Sequence, residues 1–349
     1  MTQATDSPTC EVAEVRTSIL AGVVCGVVTY TTAPRVRRYL LRRGSVDVPN
    51  HRSSHAQPTP RGGGLACTVG VATGLVVAGR SSRLPLATLA GIATVTAIGL
   101  ADDLSGGLDP RLRLAVQTVS GAAFAPSAAL APMGSVITAG VVNVVNFMDG
   151  INGITGSTAV VWGVATLLTA DRDTLLQVVG AITAGAGVGF LPWNAPTAHL
   201  FLGDVGSYLF GALMAACITH VAATPSKGWV IAAPLLPYGL DAAQALVRRW
   251  RAGQSLTEAH REHVYQRLVD DHGLSHAQVS AIHAGTASLI AAATRTMRPG
   301  AGIASAVALA AGYVLLPVGA QMIGISSPTV HDRAGAKLPQ DTTRGSEAL

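Results

Sequence analysis

Charged and aromatic residues are both scarce in this chain of 349 residues. Asp, Glu, Lys and Arg together make up 12% of the sequence, against roughly 25% in a soluble domain, and Phe, Trp and Tyr make up 4%. Hydrophobic residues make up 49%, and the mean hydropathy is +0.42. So low a charge content excludes an ordinary soluble enzyme, and the composition predicts an integral membrane protein.

Cysteine is scarce as well. Cys10, Cys25, Cys67 and Cys217 are scattered, lie mostly within apolar segments and form no C-x-x-C pair. This spacing argues against a cysteine-based metal motif and against a disulfide framework. It predicts that the four side chains act as small hydrophobic residues of the core.

Three further signals are missing from the sequence. There is no internal repeat of the kind that builds inverted-repeat transporters. No positively charged segment precedes the first apolar run, as it would in a secretory signal peptide. His260 and His263 are three residues apart and lack the H-E-x-x-H motif, so they do not match the zinc pair of a membrane metalloprotease.

Eleven apolar segments are candidates for transmembrane helices, each of which needs about 17–25 mostly apolar residues. The fifth segment is brief and runs directly into a polar motif. Together they predict an all-α, polytopic helical bundle over residues 17–324, with an N-terminal tail at 1–16 and a polar C-terminal tail at 325–349 that we expect to be disordered. The segments lie near residues 17–33, 62–79, 84–101, 114–131, 135–148, 154–170, 175–191, 205–223, 228–247, 275–293 and 301–324.

The charges around the first apolar segment predict its orientation. Acidic residues precede it and arginines follow it, and positively charged loops stay in the cytoplasm. We therefore expect the N-terminus outside, the C-terminus in the cytoplasm and an odd number of spans between them. The sequence pI near 9.3 then reflects topology and contact with anionic headgroups, and we expect no nucleic-acid partner. The acids are Asp6, Glu11 and Glu14, and the arginines are Arg35, Arg37, Arg38, Arg42 and Arg43.

Polar residues that are costly to place in a membrane gather at the predicted cytoplasmic ends of the spans. Asp102 and Asp103 end the third span, and adjacent carboxylates repel each other unless a cation lies nearby. Asp204 stands between Gly203 and Gly206, which permit close approach of the backbone. A single Asp at a helix end is typically a cap, and an inner Arg is typically a topology anchor. Their presence in five loops predicts a site, and the other members are Arg61, Asn143, Asn146, Asp149, Asn152, Asp241, His260, His263, His51, Arg52 and His55.

The chemistry of this set points to a metal and a phosphate-bearing substrate. Mg²⁺ usually binds through one or two carboxylates together with substrate phosphates and water. Arginine and histidine at the same surface neutralise phosphoryl oxygens. We therefore expect an active site at the inner rim of the bundle that takes one substrate from the cytosol and the other from the bilayer.

Five polar blocks follow one another along the chain: PNHRSSHAQPTPRGGG, DDLSGGLDPRLRLAVQ, NVVNFMDGINGI, FLGDVGS and AHREHVYQRL. In this order they resemble the polyprenyl-phosphate N-acetylhexosamine-1-phosphate transferases, the WecA/MraY-like superfamily of glycosyltransferase family 4. The first and last blocks look closest to the O-antigen-initiating branch exemplified by WbpL. The triple-histidine element that is typical of the peptidoglycan branch is absent.

The resemblance implies transfer of a sugar 1-phosphate from a UDP-N-acetylhexosamine to a polyprenyl phosphate, with Mg²⁺ or Mn²⁺, giving a lipid diphosphate sugar and UMP. This step would initiate a cell-envelope glycan at the bacterial cytoplasmic membrane, with the active site facing the cytoplasm. Phe201 matches an aromatic residue that stacks on uracil in the peptidoglycan branch. By the same resemblance, Asp102, Asp103, His260 and His263 are catalytic, Asp204 and Asp103 bind the metal, and Asn146, Asp149, Phe201, Arg61, Arg111, Arg113 and Arg261 bind substrate.

Two positions depart from the pattern common in these relatives. Asn152 stands where many have a second acid, and Arg111 and Arg113 stand where lysines are frequent. Asparagine contributes no charge, so we do not assign Asn152 to the metal. Arginine keeps the positive charge but cannot act as a base.

Two rival functions stay open at this stage, a lipid-sugar flippase and an inactive scaffold of the same fold. Transporters tend to bind their substrates near the bilayer midplane, so acids at span ends favour the enzyme. Both a single and a double displacement fit the residues, and we favour the single displacement. The sequence also leaves open which N-acetylhexosamine is used, whether the lipid is undecaprenyl or decaprenyl phosphate, which glycan pathway the protein serves and whether it forms a homodimer.

Overall fold

The computed structural model describes residues 8–49, 57–79, 84–253 and 262–322. Helices make up most of this part of the chain, which confirms the predicted all-α class. A pair of two-residue antiparallel strands, β1 (Val46–Asp47) and β2 (Thr59–Pro60), joins the first two helices. The helices are α1 Pro8–Arg43, α2 Gly64–Ala78, α3 Leu86–Ser105, α4 Pro110–Ala122, α5 Ala131–Met148, α6 Ile154–Thr169, α7 Thr174–Asn194, α8 Gly203–His220, α9 Pro225–Ala232, α10 Leu236–Arg251, α11 Val264–Asp270, α12 His276–Thr296 and α13 Pro299–Met322.

Each of the eleven predicted apolar segments coincides with a helix, and the ninth coincides with two. In that segment α9 and α10 are separated by a 3-10 turn at Ala233–Leu235. Pro234 in this turn and Pro237 in the first turn of α10 lack the N–H that an unbroken helix needs. Six helical segments of the described chain are long and apolar enough to cross a membrane, and α2 and α6 are shorter apolar helices. A polytopic membrane protein is therefore confirmed, whereas the count of eleven spans and their orientation stay predictions.

The predicted N-terminal tail is partly helical. Helix α1 begins at Pro8, so residues 8–16 extend the first helix, and their position outside the membrane stays a prediction. Helix-forming residues such as Ala13 and Glu14 carry the helix beyond its apolar part. Residues 1–7 and the tail predicted at 325–349 lie outside the described residues.

Two central helices, α7 and α8, form the core of the bundle. Residues Gly203 to Thr219 of α8 are all buried, and α3 and α5 pack on either side of it. Helix α7 packs against α1 through small residues: a Cβ at Gly22 would lie 2.6 Å from the Ala181 carbonyl oxygen, and one at Gly26 would lie 2.9 Å from that of Gly185. Small residues at such contacts let helix backbones approach closely within a membrane.

The outward faces of the peripheral helices expose large apolar side chains. Val76, Leu86, Val119 and Val136 are each more than two thirds exposed. A soluble protein rarely exposes so much apolar surface, whereas hydrocarbon chains solvate it without penalty. The surface therefore agrees with the composition in placing the bundle in a lipid bilayer.

Candidate active site

The predicted polar motifs come together at one end of the bundle. Helices α3 and α5 end there, α8 begins there, and the segment after β2 crosses between them. Arg61 in that segment connects two of the acids: its Nε donates to Asp103 Oδ1 at 3.0 Å, and its terminal nitrogen donates to Asp204 Oδ1. Residues separated by more than a hundred positions in the chain thus form one ion-pair network.

Arg61 is held as a permanent cation. Burial by itself would lower the pKa of Arg61, but attraction to the Asp204 and Asp103 carboxylates outweighs it and raises the pKa above its usual value. The Arg61 side chain keeps 43% of its surface exposed, whereas the Asp103 side chain is fully buried and that of Asp204 is 7% exposed. The guanidinium therefore lies between two buried carboxylates and the solvent.

Backbone hydrogen bonds fix Arg61 beside Asp204. The Phe201 N–H donates to the Pro60 carbonyl at 2.8 Å, and the Gly63 N–H donates to the Phe201 carbonyl at 2.8 Å. Phe201 is thereby half-buried beside the site, and its predicted stacking on uracil stays a prediction.

Close approach of the backbone requires the glycines of the FLGDVGS motif and of the segment after β2. Gly203 has a φ of +73°, and a Cβ there would lie 2.5 Å from Asp103 Oδ2. A Cβ at Gly64 would meet the Cα of Gly206 at 2.2 Å. Glycine alone tolerates both the left-handed conformation and such contacts, so the predicted role of Gly203 and Gly206 in permitting backbone approach is confirmed.

Asp103 caps helix α8 from a neighbouring helix. Its Oδ1 accepts from the Asp204 N–H at 3.0 Å, and its Oδ2 accepts from the Val205 N–H at 2.9 Å. Both oxygens thus satisfy the first amides of α8, which have no partner within that helix. These bonds give Asp103 a structural role. Its binding of a metal stays a prediction.

Asp102 pairs with a different arginine. Its Oδ2 lies 3.2 Å from Arg113 Nη1, which is also 3.5 Å from Asp204 Oδ2, and its Oδ1 accepts from the Leu108 N–H at 2.6 Å. Arg113 reaches this position because Asp109 caps α4 and starts the helix one turn earlier. Arg111 is exposed, and among the described residues no ion pair includes it.

Asn146 and Ser207 complete the surroundings of Asp204. The Asn146 Nδ2 donates to Asp204 Oδ1 at 3.1 Å and to Ser207 Oγ at 3.0 Å. Ser207 was not among the predicted site residues, although its position three residues after Asp204 places it on the same face of α8. Asp204 therefore has arginine and amide donors on several sides.

Asp149, at the end of α5, is half-buried beside this network. Burial raises the pKa of Asp149 from 3.8 to about 7, and attraction to Arg61 opposes the increase without cancelling it. The carboxyl group is thus poised to exchange a proton near neutral pH, as a group that handles a phosphate proton must do.

The raised pKa of Asp149 predicts that the stability of the protein depends on pH. Between about pH 4 and pH 7 the folded chain keeps a proton on Asp149 that the unfolded chain has lost, so the free energy of unfolding falls as the pH rises through that range. Asp149→Asn removes this dependence and should stabilise the protein at about pH 8 but hardly at about pH 4. Thermal unfolding in detergent at both pH values measures the difference, with the exposed Asp109→Asn as the control. An equal effect of Asp149→Asn at both pH values would contradict the prediction.

A second buried pair joins α10 to the segment before α11. His263 Nδ1 lies 3.1 Å from Asp241 Oδ1, and both Asp241 oxygens accept from the Val264 N–H at 3.0 Å. Asp241 is fully buried and His263 is 4% exposed. Such a carboxylate favours the proton on Nδ1 and fixes the orientation of the ring.

The predicted loop around His263 is only partly described. The His263 ring stacks on Tyr265 at 5.4 Å between centroids, and the Tyr265 hydroxyl donates to the Phe147 carbonyl at 3.3 Å, which ties the loop to the end of α5. His260 and Arg261 lie outside the described residues, as do His51, Arg52 and His55. Asp241 was noticed in the sequence as an inner acid, but no sequence signal connected it to His263.

Asn152 joins the motif after α5 to the segment after α7 and to α12. Its Nδ2 donates to the Pro196 carbonyl at 3.1 Å, and its carbonyl accepts from Ser280 Oγ at 2.8 Å. These contacts give Asn152 a structural function.

The charges of the network fit a divalent cation. Asp102, Asp103 and Asp204 share two guanidinium groups, so the network carries one excess negative charge before Asp149 is counted. In the described part of the chain no three His, Cys, Asp or Glu side chains are arranged as a complete metal site. Mg²⁺ does not need one, because phosphate and water supply its remaining ligands. Asp204 and Asp102, whose Oδ2 atoms converge on Arg113, fit this donor set.

A cavity of about 570 Å³ opens beside the network. Arg61, Asp102 and Asp103 line one side of it, and Tyr39 and Arg43 at the end of α1 line another. A cavity of this size accommodates a small ligand or part of a larger one. It places the arginine-rich end of α1 at the same end of the bundle as the carboxylates.

Comparison with known proteins gives one family match and several relatives. The model of glycosyl transferase family 4 matches residues 85–222. The decaprenyl-phosphate N-acetylglucosaminephosphotransferase of Mycolicibacterium smegmatis is 31% identical over 306 residues, which span 72% of this chain and 75% of that protein. The probable undecaprenyl-phosphate N-acetylglucosaminyl 1-phosphate transferase of Bacillus subtilis is 25% identical over 283 residues, 74% of this chain and 78% of that protein. The phospho-N-acetylmuramoyl-pentapeptide-transferase of Mycobacterium avium is 53% identical over 45 residues, 13% of this chain and 12% of that protein.

Proposed function

The chain belongs to glycosyl transferase family 4, and on that premise we propose that it transfers an N-acetylhexosamine 1-phosphate from a UDP-sugar to a polyprenyl phosphate. The products are a polyprenyl diphosphate sugar and UMP, and the step initiates synthesis of a cell-envelope glycan. The observation that carries the proposal is the network in which Arg61 and Arg113 join Asp102, Asp103 and Asp204 at one end of a membrane bundle. The chain's similarity to a decaprenyl-phosphate N-acetylglucosaminephosphotransferase and to a probable undecaprenyl-phosphate N-acetylglucosaminyl 1-phosphate transferase supports the proposal.

Arg61 and Arg113 are suited to bind the diphosphate of the UDP-sugar. Each is oriented by two carboxylates, so its guanidinium is held in place before substrate arrives. Arg61 is 43% exposed and Arg113 is 25% exposed, which leaves part of each guanidinium accessible to phosphoryl oxygens. Asp204 would hold Mg²⁺, with Asp102 as its partner in place of the predicted Asp103, because both Asp103 oxygens accept from backbone amides. The bound ion would neutralise charge on the phosphoryl oxygens.

A single displacement agrees best with the hydrogen bonds of the paired acids. In this step an oxygen of the lipid phosphate forms a bond to the β-phosphorus, the bond from the β-phosphorus to the bridging oxygen breaks, and UMP leaves. A double displacement needs a carboxylate oxygen that is free to attack. Both oxygens of Asp103 accept from backbone amides, and those of Asp102 bind Leu108 and Arg113. The geometry therefore favours a mechanism in which these acids position the two arginines over one in which an acid forms a covalent intermediate.

We assign proton transfer in this reaction to Asp149 and His263. Asp149, with a pKa raised by burial to about 7, is suited to accept the proton of a monoanionic lipid phosphate. His263 is oriented by Asp241, and a histidine held in this way can donate to or accept from the diphosphate. Neither group needs to form a bond to phosphorus.

The arginines at the active-site end of the bundle indicate on which side of the membrane the site lies. Arg42 and Arg43 stand in the last turn of α1, and Arg43 lines the cavity beside Asp102 and Asp103. Since arginine-rich ends stay in the cytoplasm, we place the site at the cytoplasmic face of the bacterial plasma membrane, where UDP-sugars are found. A flippase would need its binding groups near the middle of the bundle, whereas these carboxylates lie at helix ends.

The nucleotide product tests the proposal. The protein purified in detergent should convert UDP-GlcNAc and polyprenyl phosphate to UMP and a lipid diphosphate sugar, and added UMP should reverse the reaction, because one phosphoanhydride replaces another. Mass spectrometry identifies the products. UDP together with a lipid monophosphate sugar would overturn the mechanism, and the absence of any product over a panel of UDP-sugars would favour a flippase or an inactive scaffold.

A panel of substrates then defines the finer specificity. We expect GlcNAc or a related N-acetylhexosamine as the sugar, and either undecaprenyl or decaprenyl phosphate as the lipid. The identified sugar and lipid would also indicate the glycan pathway. The resemblance to the O-antigen-initiating branch and the formation of a homodimer stay predictions.

A further inference from the structure

The end of the bundle opposite the carboxylates carries a second group of polar residues. Helices α6 and α12 begin near Asn152 at the active-site end and run to this end, where α9 begins. Arg295, in the last turn of α12, donates through Nε to the Leu168 carbonyl oxygen at 3.1 Å. Lys227, at the start of α9, lies 3.1 Å from Asp171 Oδ2. The proposed sugar-phosphate transfer makes no use of these residues.

Two cavities of about 380 Å³ each meet at Arg295. One is polar and is lined by Lys227, Asp171, Ser226 and Arg295 among others. The other is a groove between α6 and α12 with predominantly apolar walls. Both are lined by Leu168, Arg295 and Thr296, so the groove continues into the polar cavity.

The groove exists because large and small side chains face each other. Helix α6 contributes Val160, Val164 and Leu168, whereas α12 contributes Ala291 and Ala292, which are too small to fill the space between the helices. Val164 is 43% exposed and Leu168 is 53% exposed, so the groove is open to the surrounding hydrocarbon. Its long axis follows the helices, as an acyl chain does in a bilayer.

We propose that these two cavities form a binding site for an anionic phospholipid of the phosphatidylglycerol class, distinct from the sugar-phosphate transfer site. The acyl chain lies in the groove between α6 and α12, and the phosphate lies in the polar cavity against Arg295 and Lys227. The Arg295 bond to Leu168 uses Nε, and within the described part of the chain no hydrogen bond uses its two terminal nitrogens, whose N–H donors suit phosphate oxygens.

The charge of the polar cavity selects among lipids. Lys227 and Arg295 contribute two positive charges and Asp171 contributes one negative charge, so the site is cationic before a ligand binds. Asp171 is 71% exposed in its pair with Lys227, and an exposed ion pair yields readily to a phosphate. A choline headgroup would bring its own cation to this surface, whereas a glycerol headgroup brings hydroxyls that suit Ser226 and Thr296.

The test compares lipids and variants on the purified full-length protein. Native mass spectrometry or thermal stabilisation in detergent should show tighter binding of phosphatidylglycerol than of phosphatidylcholine with the same acyl chains. Arg295→Ala should weaken phosphatidylglycerol binding about tenfold by removing a charge-assisted contact. Ala292→Leu, which fills the groove at an exposed position without changing charge, should weaken it similarly.

Two matched controls separate the site from general lipid contact. Arg298→Ala removes an exposed arginine between α12 and α13 that lines neither cavity, and Val307→Leu enlarges an exposed side chain on α13. Both should keep the preference for phosphatidylglycerol. Equal binding of the two lipids, or a preference that survives both Arg295→Ala and Ala292→Leu, would overturn the proposal. Equal stabilisation by inorganic phosphate alone would overturn it as well, because a lipid site requires the acyl chain.

Discussion

Asp204→Asn should leave the protein folded in the membrane but remove nearly all sugar-phosphate transfer, by about 10²-fold to 10⁴-fold in turnover. The Asp204 carboxylate accepts from Arg61 and Asn146 and lies 3.5 Å from Arg113. The amide keeps the shape of the side chain but loses the charge that would bind Mg²⁺ and orient both arginines. Turnover measured at saturating and at limiting Mg²⁺ tests this, and we expect the loss to be greater when Mg²⁺ is limiting.

The matched control for this experiment is Asp109→Asn. Asp109 lies at the same end of the bundle, is exposed and caps α4 through the Arg111 N–H at 2.8 Å without joining the network. Its substitution should leave turnover nearly unchanged. If Asp204→Asn kept near-normal activity at limiting Mg²⁺, Asp204 would be only a structural residue at the start of α8, and the proposed metal site would be wrong.

Asp103→Ala should have the largest effect on stability, a loss of about 2–4 kcal/mol in the free energy of unfolding. The substitution removes the acceptor of two α8 amides and one partner of Arg61, all around a side chain with no exposed surface. A broken buried ion pair costs about 3–5 kcal/mol, and the value is smaller here because Arg61 is 43% exposed and can be solvated. Thermal unfolding in detergent measures the loss.

Asp109→Ala again provides the comparison. It removes a cap from an exposed helix end, which costs about 1 kcal/mol. Asp103→Asn keeps one acceptor oxygen and should fall between the two alanine variants. If Asp103→Ala unfolded like the native protein and lost only activity, Asp103 would act chemically and not as the cap that joins α3 to α8.

Local sequence was sufficient to predict the helices. A run of apolar residues long enough to cross a bilayer is a property of one segment, and each predicted segment coincides with a helix of the described chain. The errors occur at ends that hydropathy does not define. Helix α1 continues through charged residues to Arg43, and α4 ends at Ala122 because Pro126 prevents the helix from continuing into the apolar residues that follow.

The sequence also determined which chemistry the protein carries. Carboxylates, arginines and glycines at the predicted cytoplasmic ends of the spans predicted a phosphate-handling site, because side-chain chemistry is a property of the residue itself. The family that the five blocks resemble is the family to which the chain belongs. The predicted metal ligands are tested by the Asp204→Asn experiment above, and His260 and Arg261 lie outside the described residues.

Only the tertiary structure decided what each acid does. Asp102 and Asp103 are adjacent and chemically identical in the sequence, yet Asp103 caps α8 and Asp102 pairs with Arg113. Neighbouring side chains on a helix point about 100° apart, so they face different elements, and which element lies in each direction depends on how the helices pack. The same reason explains why Asp241 could not be connected to His263: the contact joins residues 22 positions apart on separate segments, and no local pattern records it.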